Sequence, residues 1–409
     1  MTKIWLLVAA IVLVAACQSG SEPPATRAPS PSPVTVGRWL PTAAPMNVAR
    51  AYFTATRLLD GRVLIAGGVS DLTVAGTATA STEIYDPSTR QFTAAANMSV
   101  GRAGHTATLL GDGTVLVAGG YSQLGEPSHP SAETYDPKTA RWSPAPPMHY
   151  GRSGQAAVLV AGGKLLIVGG ATYAPVGISI KGATPATLPA EIYDPKKLTW
   201  SVAGTPTYDR PVDPTATLLG DGRVLVVGGQ YMWQSPDESV ERSELFDPRT
   251  DEWKLARPET VAGARQFQSA TMLASGKVLV VGGLREQQPR SAATLYDPRT
   301  DSWSSVPDLT EARCGQGTAL LQSGRVLMAG SGCNLGDSLG ATAEEFDPGT
   351  ATWHAVAPLG GARGLIVAVP LLDGNVLAVG GITSPVPALT PATQSAAAAS
   401  NVAEIFVAI

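Results

Sequence analysis

The sequence predicts an all-β fold: a ring of seven blades, each a sheet of four antiparallel strands, with an N-terminal strand completing the last blade. Three observations carry that prediction. Glycine doublets recur at intervals of about 50 residues, a spacing that signals repeated structural units. They are Gly67-Gly68, Gly119-Gly120, Gly169-Gly170, Gly228-Gly229, Gly282-Gly283 and Gly380-Gly381, with Gly330-Ser331-Gly332 as a degenerate sixth in chain order. Between doublets an aromatic-Asp-Pro turn returns, from Tyr85-Asp86-Pro87 to Phe346-Asp347-Pro348, each followed by an aromatic such as Phe92, Trp142 or Trp353. The two ends are complementary: a lone strand surrounds Trp39, and the last repeat stops after Glu404-Ile405-Phe406 without a fourth strand.

Each element follows from local chemistry. Val63-Leu64-Ile65-Ala66 and Val224-Leu225-Val226-Val227 read as strands by their β-branched and aliphatic content. Turns such as Gly111-Asp112-Gly113 fold the preceding strand back on them as hairpins. In the later turns proline ends the ladder while aspartate caps the turn. The following aromatic opens a fourth strand, and four strands per repeat make a propeller blade. Pairing the terminal strands removes both open sheet edges, so Val34 to Met46 is expected to complete blade seven and residues 34–409 to form the folded body.

Doublet, Tyr-Asp-Pro turn and tryptophan recurring together make this pattern resemble the kelch-repeat family, which includes the central domain of galactose-oxidase-like enzymes, over nearly all of residues 34–409. Upstream, Lys3 precedes an apolar run from Ile4 to Ala16, the layout of an export signal. At about 13 residues the run is too short to span a bilayer. Its end, Leu13-Val14-Ala15-Ala16-Cys17, resembles the bacterial lipobox. That resemblance implies a lipoprotein signal peptide over 1–16, cleavage before Cys17, and lipid on the Cys17 sulfur. Residues 17–33 then form a lipidated start and a Ser/Pro-rich spacer. Gln18 stands where some inner-membrane lipoproteins carry aspartate, so the outer membrane or cell surface is the expected location.

The rim formed by the starts of the inner strands and the loops after the doublets is the expected working face, because irregular loops on a rigid scaffold carry binding. Ala171 to Pro189, Gln230 to Arg242 and Ile382 to Ser400 are its long loops. An arginine opens each inner strand at a common offset: Arg50, Arg102, Arg152, Arg265, Arg313 and Arg363, with Arg210 displaced. Guanidinium groups around one channel mouth suit carboxylate, sulfate or phosphate. The recurring Glu83, Glu133, Glu191, Glu244, Glu344 and Glu404 suit a second role, neutralising those arginines within the scaffold, with Thr294 in the fifth blade. Three residues after the arginines, His105, Gln155, Gln268 and Gln316 are expected high in the channel as polar ligand contacts. Tyr121, Tyr173, Tyr231 and Trp233 gather behind the doublets, where sugars stack and protein partners anchor.

A net charge of -4 gives no global basic field for nucleic acid. His105, His129, His149 and His354 are spaced as no metal cluster is, so neither metal nor cofactor is expected. The tyrosine, histidine and crosslinked cysteine set of galactose-oxidase-like copper enzymes has no match. Cys314 and Cys333 flank a hairpin turn symmetrically, which places them opposite each other as a disulfide pair suited to an oxidising exterior. The leading functional expectation is a monomeric, membrane-tethered binding module for a glycan or protein at the long-loop rim. The alternative is a cofactor-free carbohydrate enzyme of the sugar mutarotase or isomerase type, with Asp209 and Asp213 beside Arg210 as its acids.

Overall fold

The computed structural model describes residues 37–408 apart from 73–75, 173–187, 211–212, 230–242, 260–264, 286–287, 333–338 and 384–397. Among these residues seven four-stranded antiparallel sheets form the blades of a propeller ring. Blade one runs from its inner strand Thr54–Arg57 through Val63–Ala66 and Thr82–Asp86 to the outer strand Gln91–Ala95. The inner strands of blades two to six are Thr106–Leu109, Ser153–Val160, Thr215–Leu218, Ser269–Met272 and Gly317–Leu320. Blade seven takes Val367–Pro370, Val376–Val379 and Ala403–Val407 from the C-terminal end and Arg38–Pro41 from the N-terminal end. Trp39 pairs with Phe406 and Leu40 with Ile405, so the closure expected from the unequal ends is present.

Burial follows position in the blade. In five blades the second strand is buried throughout, because neighbouring sheets cover both faces, and its sequence is accordingly a continuous run of Val, Leu, Ile and Ala. Inner strands are half-buried and built from small residues such as Thr106-Ala107-Thr108, which fit the crowded axis. In the six Asp-Pro turns the aspartate accepts the backbone N–H two residues on, at 2.8 Å for Ser88 on Asp86 and 2.9 Å for Lys138 on Asp136.

Two devices join the blades. Each outer-strand tryptophan packs on the third-strand aromatic of its own blade, with ring centroids 5.2 Å apart for Tyr135 and Trp142. Its indole N–H then donates to a backbone carbonyl associated with the preceding blade: Trp142 to Ala96 at 2.8 Å, Trp353 to Pro307 at 2.7 Å, Trp39 to Ala357 at 2.9 Å. Blade one has Phe92 instead and makes the packing without the bond.

The doublets supply the other joint. The second glycine donates its N–H to the carbonyl of the arginine in the next blade: Gly68 to Arg102 at 2.7 Å, Gly120 to Arg152 at 2.8 Å, and, across the closure, Gly381 to Arg50 at 2.9 Å. Both glycines have positive φ, 68° and 93° at Gly67 and Gly68. A Cβ on Gly68 would lie 2.7 Å from the Ala51 carbonyl oxygen, so backbone conformation and space both demand glycine. Ser331, the non-glycine member, makes the same bond to Arg363 at 3.0 Å.

Candidate functional site

The seven arginines stand one per blade on the rim, and every guanidinium is enclosed. Arg50, Arg102, Arg152 and Arg313 have no exposed surface, and the other three reach 2%. Arg102 shows the common arrangement. Its Nη1 donates to the carbonyls of Gly119 and Ser131 at 2.8 and 3.0 Å, and its Nη2 donates to Glu133 at 3.0 Å. The second Glu133 oxygen accepts Ser99 N–H at 2.7 Å. The Arg102–Glu133 pair thereby ties the doublet, the third strand and the incoming linker of the blade. Arg50, Arg152, Arg210 and Arg313 repeat the pair with Glu83, Glu191, Glu244 and Glu344 at 2.7 to 3.0 Å, and Arg363 does so with Glu404. In blade five the carboxylate comes from a different place: Glu259 accepts from both Arg265 and Thr294, at 2.8 and 2.7 Å. The expected anion-binding ring is therefore a set of internal braces, because the guanidinium faces are covered by carbonyls and carboxylates of the scaffold.

The polar residues three positions later act between blades. Gln155 Nε2 donates to Ala118 O and Gln268 Nε2 to Val227 O, both at 2.9 Å, and Gln316 Nε2 donates to Val281 O at 3.2 Å. His105 Nε2 shares a hydrogen bond of 2.9 Å with Thr54 Oγ1. Burial, with Arg102 and then Arg50 nearby, pushes the His105 pKa down to about 3, so the imidazole is neutral at ordinary pH. Each of these four side chains retains one buried polar atom without a partner: Nδ1 of His105 and Oε1 of the three glutamines.

A different set of residues forms the channel mouth. Two positions after the arginine, or three in blade four, stand Tyr52, Gly104, Gly154, Asp213, Phe267, Gly315 and Leu365. All seven have left-handed φ, from 42° at Asp213 to 66° at Gly154. Backbone bonds link them around the axis: Gly104 N–H to Tyr52 O at 2.9 Å, Gly154 to Gly104 at 2.8 Å, Asp213 to Gly154 at 3.1 Å, Gly315 to Phe267 at 3.2 Å. Glycine fits this conformation freely, whereas each of the other four costs about 1–2 kcal/mol. Those four side chains surround a cavity of about 220 Å³ floored by Phe53, Gln268, Gln316 and Ile366.

Among the described residues, Asp213 is the only charged one lining it. Burial pushes its pKa up to about 7. Burial also raises the phenols of Tyr52 and Tyr121 above their ordinary range, and Asp213 adds to both. Asp209 is pushed up to about 6 by burial, against the opposing pull of Arg210, but it does not line the cavity. Tyr121 is 1% exposed and packs with Ala51, Val69 and Ala103, supporting the mouth from behind.

Of the residues expected from sequence, the structure thus brings Gln268, Gln316 and Asp213 together at the mouth. Tyr52, Phe267 and Leu365 escape the sequence reading; their signal is a bulky residue at a repeat position that is glycine in blades two, three and six. Tyr173, Tyr231 and Trp233, Cys17 and Cys333 lie outside the described residues. Cys314 is buried, and its carbonyl accepts Gly332 N–H at 2.9 Å, one residue before Cys333.

Comparison with known proteins matches this architecture. A search of curated proteins returns no match. Among solved structures, a fungal alcohol oxidase of the AA5 family, described as having catalytic diversity and in complex with copper, is similar with a TM-score of 0.71 and 18% identity, over 91% of this chain and 76% of that one. At that identity the likeness is one of fold. The donor set here does not fit a copper centre of that kind: no imidazole lines the mouth. Among the described residues no three His, Cys, Asp or Glu side chains cluster to hold a metal ion. A family model described as "KLHDC2/KLHL20/DRC7 Kelch-repeats domain" matches residues 104–330, more than half of the chain, and one described as "Kelch motif" matches residues 50–99. Recurrent doublets, aromatic staples and a ring closed by its two ends agree with those matches, and the chain belongs to the kelch-repeat family.

Proposed function

We propose that this chain is a monomeric binding module, held on the outer side of a bacterial membrane by lipid on Cys17, that takes a glycan or a segment of a protein partner at the long-loop rim, with the channel mouth at its centre. The kelch propeller supports a binding or scaffold role. One observation carries the choice of the mouth: four blades place a strained, bulky residue where the other three have glycine, and all four side chains line one cavity. Strain of that kind persists where the surrounding structure holds it for use. A carbohydrate enzyme acting on an anionic sugar at this rim would need guanidinium groups free to take it, and the seven described here are braced internally. In this reading Cys314 is joined to Cys333 by a disulfide, as an oxidising compartment allows. Thiol labelling of the unfolded chain should then require prior reduction.

A thermal-shift screen of the full chain against neutral sugars, uronic acids, peptidoglycan fragments and peptides tests the site, since a ligand selective for the native state raises the melting temperature. Phe267→Gly installs the residue that blades two, three and six carry. The lost packing is offset by relief of the left-handed strain, so the free variant should melt within a few degrees of the parent, about 1 kcal/mol either way. The ligand-induced shift should disappear. A shift that survives Phe267→Gly would move the site away from the mouth.

A further inference from the structure

We propose that the channel mouth binds a compact organic cation, an ammonium group on an apolar or aromatic body, with Asp213 as its counter-ion. The ligand class rests on the reading of the mouth as the working site. Asp213 makes no side-chain hydrogen bond or ion pair to any described residue, and Arg210, three positions before it, is turned onto Glu244. Its Oδ1 is 3.3 Å from where a Cβ on Gly154 would stand, so the carboxylate occupies the space which that glycine leaves open.

Gln268 and Gln316 line the same cavity, more than nine-tenths buried, and the Oε1 of each has no partner. Their amide orientation is fixed, because each Nε2 donates to a backbone carbonyl, which only accepts. Those two Oε1 oxygens are enclosed by the scaffold, so the charged acceptor that the described lining presents to the cavity is the Asp213 carboxylate. Tyr52, Phe53 and Phe267 add aromatic rings, and neither lysine nor arginine is among the described lining residues. Aromatic faces attract cations, and an ammonium supplies the donors and the opposite charge that the Asp213 carboxylate lacks. An anion would face like charge. A polyol needs donors as well as acceptors, and among the described lining side chains the donors left are the Tyr52 hydroxyl, the second N–H of the Gln268 amide and a protonated Asp213. The cavity, at about 220 Å³, falls below the usual range for drug-sized ligands, which restricts the body to roughly one ring.

Isothermal titration of the full chain at pH 8 with 2-phenylethylamine, 2-phenylethanol and phenylacetate tests this. The amine should bind about tenfold or more tightly than the alcohol, and the acid not measurably. Asp213→Asn, whose side chain tolerates the left-handed backbone, should remove the amine's advantage and leave alcohol binding unchanged. Phe267→Leu should weaken the amine about threefold. Lowering the pH to 5 should weaken the amine and not the alcohol in the unmutated chain, as Asp213 takes up a proton; Tyr52 and Tyr121, the titratable groups facing it, stay neutral throughout. Equal binding of amine and alcohol, or an amine preference that survives Asp213→Asn, would overturn the proposal. Absence of amine binding while a ligand from the thermal-shift screen still depends on Phe267 would overturn the ligand class and leave the site standing. If neither binds, both readings fail.

Discussion

Glu133 and Asp213 are both carboxylates near the channel rim, and their surroundings pull them in opposite directions. Burial alone pushes Glu133 up, but the Ser99 N–H and Arg102 together hold it below its ordinary range. Its stabilising contribution is therefore present above the unfolded value and lost as the pH falls through the folded one. Asp213 has burial without compensation and rises to about 7. Its protonated form is favoured by folding, so its contribution is complete below the unfolded value near 4 and is lost as the pH climbs towards 7. Asp213→Asn should therefore gain stability over the parent at pH 8, on the order of 1 kcal/mol after allowance for its partial exposure to the mouth. The two should converge near pH 4. Denaturant melts at both values test the sign, and a variant less stable at pH 8 would mean that the carboxylate has a partner. Arg102→Met should behave quite differently. It leaves Glu133 buried opposite an uncharged side chain, at a cost of about 3–5 kcal/mol, and the loss should shrink at acid pH, where Glu133 is protonated.

At the scale of the strand and its repeat, the parts legible in the sequence are those where one residue type answers one local demand. A doublet that must admit the next blade's backbone has to lack side chains, and a third-to-fourth strand turn needs Asp and Pro; both demands are visible from composition and period. Partner choice is less visible. Blade five replaces the third-strand glutamate with Glu259, six residues before Arg265 and off the repeat period, and only the folded linker brings it onto Thr294. Gln155 and Gln268 look like ligand contacts because inner-strand starts face the axis, yet their amide nitrogens are consumed by the neighbouring blade. Tyr52, Phe267 and Leu365 are legible solely as departures from glycine, and the extra residue in blade four moves Asp213 out of the common offset. Blade one supplies its own comparison for the outer-strand staple, since Phe92 packs on Tyr85 without an indole bond. Trp142→Phe should therefore keep the fold and lower stability by about 1 kcal/mol, the worth of one hydrogen bond to Ala96. Trp142→Ala should cost about 3 kcal/mol through lost packing. Equal losses would assign the stabilisation to the ring alone.

For the whole molecule, closure is the condition on which everything at the axis depends. The mouth is assembled from single residues of all seven blades, joined laterally by one backbone bond per neighbour where such bonds form, so a ring that opens at any joint disperses the site. The joint most exposed to that failure is the one between chain ends, where the Arg38–Pro41 strand covers the edge of Ala403–Val407. Two further contacts secure it: Trp39 packs on Phe406 with centroids 5.0 Å apart, and its indole N–H reaches Ala357 after blade six. The next joint, from blade seven to blade one, is held by Gly381 N–H on Arg50 O and by Ser400 O receiving Arg50 N–H, both at 2.9 Å. Replacing Leu40 by proline removes a backbone donor in the closing strand, a position that a paired strand tolerates poorly. Leu40→Pro should lower the melting temperature by several degrees and expose the edge of residues 403–407, a template for pairing with a second chain. Light scattering should then report concentration-dependent association absent from the parent. Trp39→Ala, which keeps the backbone pairing while deleting the ring and its bond, should destabilise the protein and leave it monomeric. If both variants associate equally, packing at the seam rather than strand pairing keeps the ring shut.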